Sequence, residues 1–345
     1  MDPWKTDDEG CAIPAKPCLK PWYRQALAGD ALALEHGHST VVFEGRAVQQ
    51  LLPALLPLLD GTRTAAQIVE KLGAVSEPAV THALRLLAER RLLLDGAAID
   101  ATEPAGVRHT VEFIASIGRQ VTVAGVHEAL VAATVVVVGS SAAAPHVVAL
   151  LRESGVGRVE QVGWSAEPSG SAGPPRLVLV LPDADELSEV AGWNRHALET
   201  ETTWLQVLPY DGRFAAIGPL YVPRETCCYE CYRTRRSAAS GYAAEFDAID
   251  NAVLQAPSPP ALDAVIAGVA VMLATRWIAQ HDHYLPGMFY ACEQGGTSLT
   301  QHRVYRVPRC PACSGLHDTA PPLPWFKEVA PDREQLGREQ MSVAG

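Results

Sequence analysis

The sequence lacks an uninterrupted apolar run that would cross a membrane. Its longest stretch without a charged residue, 129–151, is interrupted by Gly-Ser-Ser and by Pro-His, whereas a spanning helix needs about 20 consecutive apolar residues. The N-terminal stretch is acidic and broken by proline, without the apolar core of a signal peptide. We therefore expect a cytoplasmic protein with no membrane partner, in which residues 1–18 form a disordered lead-in.

The chain also lacks an excess of positive charge. It carries 28 Lys and Arg against 39 Asp and Glu, a net charge of −11. The first hundred residues contain ten basic and thirteen acidic side chains, although a DNA-binding module normally presents a basic face. Nucleic acid is therefore not expected as a partner.

The segment 19–96 is predicted to form a small winged-helix domain. Short apolar stretches at 24–30, 31–37 and 39–45 indicate three strands, and a Gly-Asp turn separates the first two. Helical spacing then indicates three helices, at 47–61, 64–73 and 76–94, the last ending in a Leu-Leu-Leu wing. Thr64 and Ser76 are the expected N-caps of the second and third helices.

A Gly-, Ala- and Asp-rich linker leads to a second predicted unit, 104–315, of the Rossmann-like α/β class. The run "TVVVVGSSAAAPHVVALL" is followed by "SGVGR" and another strand, which is a βαβ pattern. Two further strands, a long buried helix from 259 to 280 and two late strands complete it. The remainder, 316–345, is a proline-rich tail.

Four of the eight cysteines form two identical pairs. Cys228 and Cys231 are spaced C-x2-C, as are Cys310 and Cys313, with 78 residues between the pairs. In a reducing compartment such pairs are more often metal ligands or redox groups than disulfides. Two C-x2-C turns supply the four thiolates of a closed tetrahedral zinc site, which leaves no open position for catalysis. We therefore predict structural zinc, with two redox pairs as the alternative.

The neighbours of these pairs give further expectations. A zinc ion with four thiolates carries a formal charge of −2, which Arg233, Arg235 and Arg236 could offset. Cys227 is expected to face away from the metal, although an exchange of ligands with Cys228 stays open. The other cysteines, Cys11, Cys18 and Cys292, lack partner spacing and are expected to be unpaired or buried thiols.

The loop after the first strand of the βαβ unit has lost the features of a nucleotide site. The dinucleotide fingerprint G-x-G-x-x-G needs three glycines for close approach to phosphate. Only Gly139 remains, because Ser141 and Ala144 occupy the other two positions. Gly163 and Trp164 stand where an acidic residue would hold the ribose. We therefore expect no ATP binding, although serine and alanine N–H groups could still contact a phosphate.

The strand, its degenerate loop, "SGVGR", "GPLYVPRETCCYECY" and the final "CPAC" together resemble the ThiF-like fold of ubiquitin-activating-type enzymes. The N-terminal unit resembles a PqqD-type precursor-recognition element. This order of domains is similar to the ThiF-like leader-peptide-binding proteins, or F proteins, of thiazole/oxazole-modified peptide pathways, which include thiopeptide pathways. The resemblance covers about 19–315, and only the cysteine pairs are specific as a motif.

The resemblance implies a non-catalytic partner subunit. Such proteins bind the leader of a ribosomally made precursor and present it to a separate YcaO-type cyclodehydratase, which uses ATP to convert Cys, Ser or Thr into azolines. The partners implied are thus a leader peptide and a YcaO protein, and a homodimer stays open.

The implied peptide site lies in the N-terminal unit. By the family's binding mode, an unpaired edge of the third strand would accept the leader as a further strand, through Thr40, Val41, Val42 and Phe43. Leu84, Leu87 and Arg91 share a stripe on the third helix that would form the other wall. Core packing explains the two leucines equally well.

Two other functional classes are open. A self-sufficient adenylating enzyme would need the nucleotide loop, and a winged-helix DNA-binding regulator would need a basic face. A second metal site at His281 and His283 is also conceivable, but "AQHDHYLPG" is better explained as the polar end of a helix.

Overall fold

The computed structural model describes residues 12–73, 77–118, 121–164, 177–253, 256–293 and 298–314. Most of the predicted lead-in, the predicted N-cap Ser76, Cys11 and the tail 316–345 lie outside these ranges.

The N-terminal part contains two small antiparallel sheets. Strands β2 (Arg24–Ala28), β3 (Ala31–His36) and β4 (Ser39–Glu44) form one sheet in sequence order, and β1 (Pro17–Leu19) pairs with β5 (Leu93–Asp95) in the other. The predicted Leu-Leu-Leu wing is therefore a strand that pairs with β1, not an extension of the three-stranded sheet. Residues 17 and 18 belong to β1, so regular structure begins before the predicted boundary at residue 19.

In the described residues of this part, four α-helices follow or flank these strands. They are α1 (Arg46–Gln50), α2 (Leu52–Leu55), α3 (Ala65–Leu72) and α4 (Glu77–Glu89). The single helix predicted for 47–61 is wrong: the segment is divided into α1, α2 and a 3-10 turn, Leu56–Leu58. Pro53 and Pro57 account for the break, because proline lacks an N–H and its ring clashes with the carbonyl four residues earlier.

The N-cap predicted at Thr64 is confirmed. Its hydroxyl accepts a hydrogen bond from the Gln67 N–H, at 3.3 Å, and the Gln67 side chain accepts one from the Thr64 N–H, at 2.9 Å. This reciprocal capping box satisfies two N–H groups that the first turn of α3 would leave unpaired.

The larger part of the chain is built on a mixed seven-stranded sheet, confirming the α/β class. Its strands are β6 (Thr134–Val138), β7 (Arg158–Val162), β8 (Leu177–Val180), β9 (Trp204–Val207), β10 (Phe214–Tyr221), β11 (Met288–Glu293) and β12 (Leu299–Arg303). Their spatial order is β12-β11-β10-β9-β8-β6-β7, and β7, β6, β8 and β9 are mutually parallel. The β10–β12 strands are antiparallel.

Helices cover both faces of this sheet. They are α5 (Ala105–Ile117), α6 (Val123–Val131), α7 (Ala144–Glu153), α8 (Glu189–Glu199), α9 (Tyr229–Ala239), α10 (Phe246–Asp250) and α11 (Pro260–Gln280). Successive side chains of a strand point to opposite faces, so Val135 and Val137 join the core under α5, α6, α7 and α11. Val136 and Val138 join the core that contains α8, α9 and the paired cysteines.

Helix α11 confirms the long buried helix predicted from the sequence. It has 21 residues and a mean hydropathy of 1.7, enough by length and composition to cross a membrane. Among the described residues, α11 rather than the run 129–151 is therefore the candidate span by length and composition. Buried side chains make up 61% of the apolar window, and they pack against α6 and α7. Such packing is typical of the core helix of a soluble protein.

Candidate functional site

Both C-x2-C pairs meet at the beginning of α9. Cys228 is the N-cap of this helix and Cys231 lies in its first turn, while Cys310 and Cys313 lie in the turns after β12. The Cys228 Sγ is 3.8 Å from that of Cys231 and 3.7 Å from that of Cys310. The Sγ atoms of Cys231 and Cys313 are 3.6 Å apart.

This geometry fits a metal ion held by four sulfur atoms. All four Sγ atoms lie within 4.8 Å of one another and all four residues are buried. Sulfur atoms about 2.3 Å from a tetrahedral zinc ion would be about 3.8 Å apart. The sequence prediction that these four cysteines form one cluster is thus confirmed, and the cluster is able to hold a metal ion.

The surroundings of the sulfur atoms favour negative charge on them. The Val307 N–H points at the Cys231 Sγ, at 3.4 Å, and the positive end of the α9 dipole lies at Cys228 and Cys231. Hydrogen bonds from the Cys228 and Cys313 thiols lower the pKa of Cys231. The pKa of Cys228 is raised, because its thiol donates a hydrogen bond to the Cys231 sulfur and is shielded from water. A divalent cation at the centre would remove this competition for protons.

The three arginines of α9 bond to carboxylate and carbonyl oxygens rather than to the sulfur atoms, while the positive charge of Arg235 acts to lower the pKa of the neighbouring Cys227. Arg233 and Arg236 both pair with Asp250, at 2.9 Å and 3.0 Å. Arg235 instead donates to the carbonyl oxygens of Tyr305 and Arg306. Arg233 and Arg236 are thus occupied by a carboxylate. Arg235 alone ties the segment that leads to Cys310 to α9.

The remaining described cysteines lie outside the cluster. Cys227 is buried, and burial raises the pKa of its thiol to about 12. Cys18 and Cys292 are free, buried thiols. Cys18 and Cys292 agree with the sequence expectation of buried, unpaired thiols, and Cys227 is not among the four residues that could hold the metal ion.

Most N–H groups of the degenerate loop after β6 are already hydrogen-bonded and cannot bind a phosphate without losing those bonds. Five of the six N–H groups from 139 to 144 already have acceptors within the protein: Gly139 donates to Val162, Ser140 to Glu186, Ser141 to Leu181, and both Ala143 and Ala144 to Ser141. In nucleotide-binding loops such groups point at the ligand.

The carboxylate of Glu186, which lies outside this loop in the chain, contacts it and adds a negative charge there. One carboxylate oxygen, Oε2, accepts from the Ser140 N–H at 3.0 Å and from the Asp183 N–H at 2.9 Å. Burial alone would raise the pKa of Glu186, but these hydrogen bonds outweigh it and lower the pKa. The carboxylate therefore stays ionised near neutral pH and repels a second anion.

We expect the isolated chain to show no ATP binding at micromolar concentrations. The internal acceptors and the Glu186 charge would both have to be displaced by the nucleotide. Isothermal titration calorimetry with Mg-ATP is the measurement, with Glu186→Gln as the matched variant because it removes the charge and keeps the size. Micromolar binding by the natural chain would contradict the expectation.

Gly139, the one fingerprint glycine that remains, has a structural role. Its φ is +104°, and a Cβ atom there would lie 2.2 Å from the Leu181 carbonyl oxygen. We expect Gly139→Ala to lower the free energy of unfolding by about 2–4 kcal/mol, because both the backbone strain and the clash must be relieved. Urea unfolding measures this, with Gly163→Ala, where a Cβ meets no atom within 4 Å, as the control.

Strand β4 supplies a free sheet edge. Within the described ranges its one partner strand is β3, paired from Ala31–Glu44 to His36–Ser39, and the two-residue loop Gly37-His38 closes the hairpin. In an antiparallel pair, alternate residues direct their N–H and C=O groups to the partner strand. His36 and Ser39 flank the two-residue loop and form a hydrogen-bonded pair. Ser39, Val41 and Phe43 therefore direct their N–H and C=O groups to β3. The alternate residues Thr40, Val42 and Glu44 direct theirs to the free edge.

The predicted peptide-binding residues of β4 divide accordingly. Val41 and Phe43 are half-buried and pack on the N-terminal core. Thr40 is exposed, and Val42 has 52% of its surface exposed. The backbone of Thr40 and Val42 is therefore what an added strand would meet.

The two leucines predicted to form the helical wall of the peptide groove are buried, unlike Thr40 and Val42 of β4. Leu84 and Leu87 are each 1% exposed and belong to the N-terminal core, so core packing accounts for them and they offer no surface to a peptide. Arg91 lies beyond the end of α4 in the left-handed region, with φ 55°. The Leu92 N–H bonds to Leu87 and the Arg91 N–H to Ala88, which is a Schellman termination of the helix.

Two functional residues were missed from the sequence. Glu186 is one. The other is Asn194 of α8, which is 3% exposed and accepts a hydrogen bond from the Tyr229 N–H at the beginning of α9, at 3.0 Å. Asn194 thereby fixes the helix end that carries Cys228 and Cys231. At the predicted polar helix end, His281 is the C-cap of α11. Among the described residues, the four cysteines are the group able to hold a metal.

No family model and no curated protein matches this chain, but several solved structures share its fold. A heterocyclase in complex with substrate and cofactor matches with a TM-score of 0.66 and 23% identity, over 86% of this chain and 39% of that one. The heterocyclase TruD matches with 0.66 and 23%, over 95% and 47%. Escherichia coli MccB with MccA-N7isoASN matches with 0.59 and 14%, over 86% and 99%.

These similarities establish a mixed α/β fold of the heterocyclase and MccB kind. The chain spans less than half the length of the two heterocyclases.

Proposed function

We propose that this chain is a non-catalytic peptide-recognition protein of ribosomal peptide modification. It binds the leader of a precursor and presents that precursor to a separate YcaO-type cyclodehydratase, which forms azolines from Cys, Ser or Thr. The observation that carries the proposal is the free edge of β4, on a chain whose nucleotide loop is filled by Glu186.

In this proposal the chain has two parts. Residues 19–96 are the winged-helix, PqqD-like recognition domain, and 104–315 are the ThiF-like domain. Leader residues would pair with the outward backbone groups of Thr40 and Val42, and main-chain hydrogen bonds would set the register of the added strand. Side chains on the exposed face of β4 would then select among leaders.

The structural neighbours support a peptide substrate. One is a heterocyclase with its substrate, and another is MccB in complex with a form of MccA. Because MccB has also been crystallised with ATP, its likeness favours adenylation as a second candidate function. The Glu186 carboxylate in the loop after β6 argues for the recognition role instead.

The metal in this proposal is a structural zinc ion. Four thiolates complete its coordination, so it has no position for water or substrate. The ion would join the beginning of α9 to the turns after β12, and its role is to hold the ThiF-like domain together.

Reconstitution tests the proposal. A YcaO-type cyclodehydratase and a short precursor rich in Cys, Ser or Thr, both sought among the neighbouring genes, are mixed with ATP, with and without the chain, and azoline formation is followed by the loss of water mass. We expect the YcaO protein to lose most turnover of the full-length precursor when the chain is omitted. A precursor without its leader should respond little to the chain. Equal turnover of the full-length precursor in both mixtures would contradict the role.

A further inference from the structure

A cavity of about 310 Å³ lies at the carboxyl end of β9, away from the free edge of β4. Leu208, Ala216 and Tyr232 contribute to its lining from the sheet and α9, and Phe246, Ile249 and Val253 contribute from the segment around α10. In open α/β sheets, ligands bind in the crevice outside the carboxyl ends of the parallel strands. The volume is at the lower end of the range for small-molecule and side-chain sites.

The cavity combines an acidic end with an apolar mouth. Two carboxylates, Asp211 and Asp250, line it with a single guanidinium group, Arg236. Arg236 lies 3.0 Å from Asp250 and 3.5 Å from Asp211. Asp250 is also bonded to Arg233. The protein's own guanidinium groups therefore neutralise Asp211 less completely than Asp250, which leaves Asp211 better able to pair with a cation from a ligand.

Apolar side chains are exposed around the same opening. Tyr242, Ile249 and Val253 have 42%, 51% and 61% of their surfaces exposed. Tyr242 stacks on Phe246, with ring centroids 6.3 Å apart. Clustered exposed apolar groups beside a concave surface mark a site of interaction.

We infer that this cavity is a second peptide-binding site, which takes an aromatic side chain next to a basic one. The aromatic ring would lie against the exposed side chains of Ile249 and Val253, and the cation would pair with Asp211. The inference builds on the proposed function, because it assumes that the substrate is a peptide. The site nevertheless lies on different elements from β4 and can be tested without any leader.

Blocked dipeptides are the probes, and ligand-observed NMR titration of the full chain is the measurement. We expect acetyl-Trp-Lys-amide to bind about tenfold more tightly than acetyl-Trp-Gln-amide or acetyl-Ala-Lys-amide, because each control lacks one of the two groups. Tryptamine has the ring and the cation without a peptide backbone, and we expect it to bind more weakly. Equal binding of all three dipeptides, or none, overturns the inference, and tryptamine binding as tightly as the best dipeptide overturns the assignment to peptides.

Three variants locate the binding. Val253→Trp should block the mouth and abolish binding of all probes. Asp211→Asn keeps the acceptor for the Arg213 and Phe214 N–H groups and should remove only the preference for Lys over Gln. Val42→Pro should leave dipeptide binding unchanged, so failure at the cavity and failure at β4 give different results. Thermal melting confirms that each variant is folded, and unchanged probe binding by a folded Val253→Trp chain overturns the location.

Discussion

Val42→Pro is expected to raise the Kd for the leader peptide by about tenfold or more, equivalent to about 1.4 kcal/mol. The register of the β3–β4 hairpin directs the Val42 N–H to the free edge, and proline removes that donor while restricting φ. The hydrogen bonds between β3 and β4 are made by Val41 and its alternate neighbours, so the hairpin itself should survive. Fluorescence polarisation with a labelled leader measures the loss.

Two control variants separate recognition from folding. Val42→Thr keeps the N–H and a β-branched side chain, so leader binding should change little. Leu27→Pro makes the same chemical change on β2, the opposite edge of the same sheet, because the Leu27 N–H also faces outward. Loss of leader binding in Leu27→Pro but not in Val42→Pro would place the leader at the β2 edge and contradict its assignment to β4.

Cys310→Ser should have the largest effect on stability. Cys310 is 0% exposed and its Sγ lies 3.7 Å from that of Cys228. Structural zinc sites contribute about 10 kcal/mol or more of apparent binding energy, which approaches or exceeds the whole stability of a typical domain. We expect the natural protein to contain one zinc ion per chain and the variant to be zinc-free and largely insoluble.

Cys292→Ser is the matched control for this substitution. Cys292 is also 0% exposed but lies in β11, outside the cluster. Its replacement buries a hydroxyl, at a cost of about 1–3 kcal/mol, and should leave zinc content unchanged. Elemental analysis and melting compare the two variants. A zinc-free natural protein, or a Cys310→Ser variant with unchanged zinc and melting temperature, would refute the zinc site.

Features set by local chemistry could be predicted from the sequence. The C-x2-C spacing places two thiolates on one turn wherever it occurs, so Cys228, Cys231, Cys310 and Cys313 were identifiable as a group. The Thr64 capping box is likewise complete within four residues. Pro53 and Pro57 are local signals as well: because proline lacks an N–H, they divide the helix that apolar spacing alone predicts at 47–61.

Features set by distant contacts could not be predicted in this way. Ser140 and Glu186 are 46 residues apart, and no periodicity or motif indicates that the loop would be filled by that carboxylate. Strand β5 pairs with β1 across most of the N-terminal part, a partner that the short run of leucines does not specify. The burial of Leu84 and Leu87 was ambiguous, because a stripe on a helix has the same spacing whether it faces the core or a ligand.

The central claim is that the free edge of β4 recognises a leader peptide. It is tested most directly by fluorescence polarisation of the full chain with a synthetic leader, taken from the precursor peptide that the reconstitution identifies as the substrate. The account predicts a Kd in the micromolar to submicromolar range, because the leader must lose backbone freedom as it becomes a strand. It also predicts that Val42→Pro raises this Kd while Leu27→Pro does not. A folded chain that ignores this leader, or binds it equally well after Val42→Pro, would contradict the account.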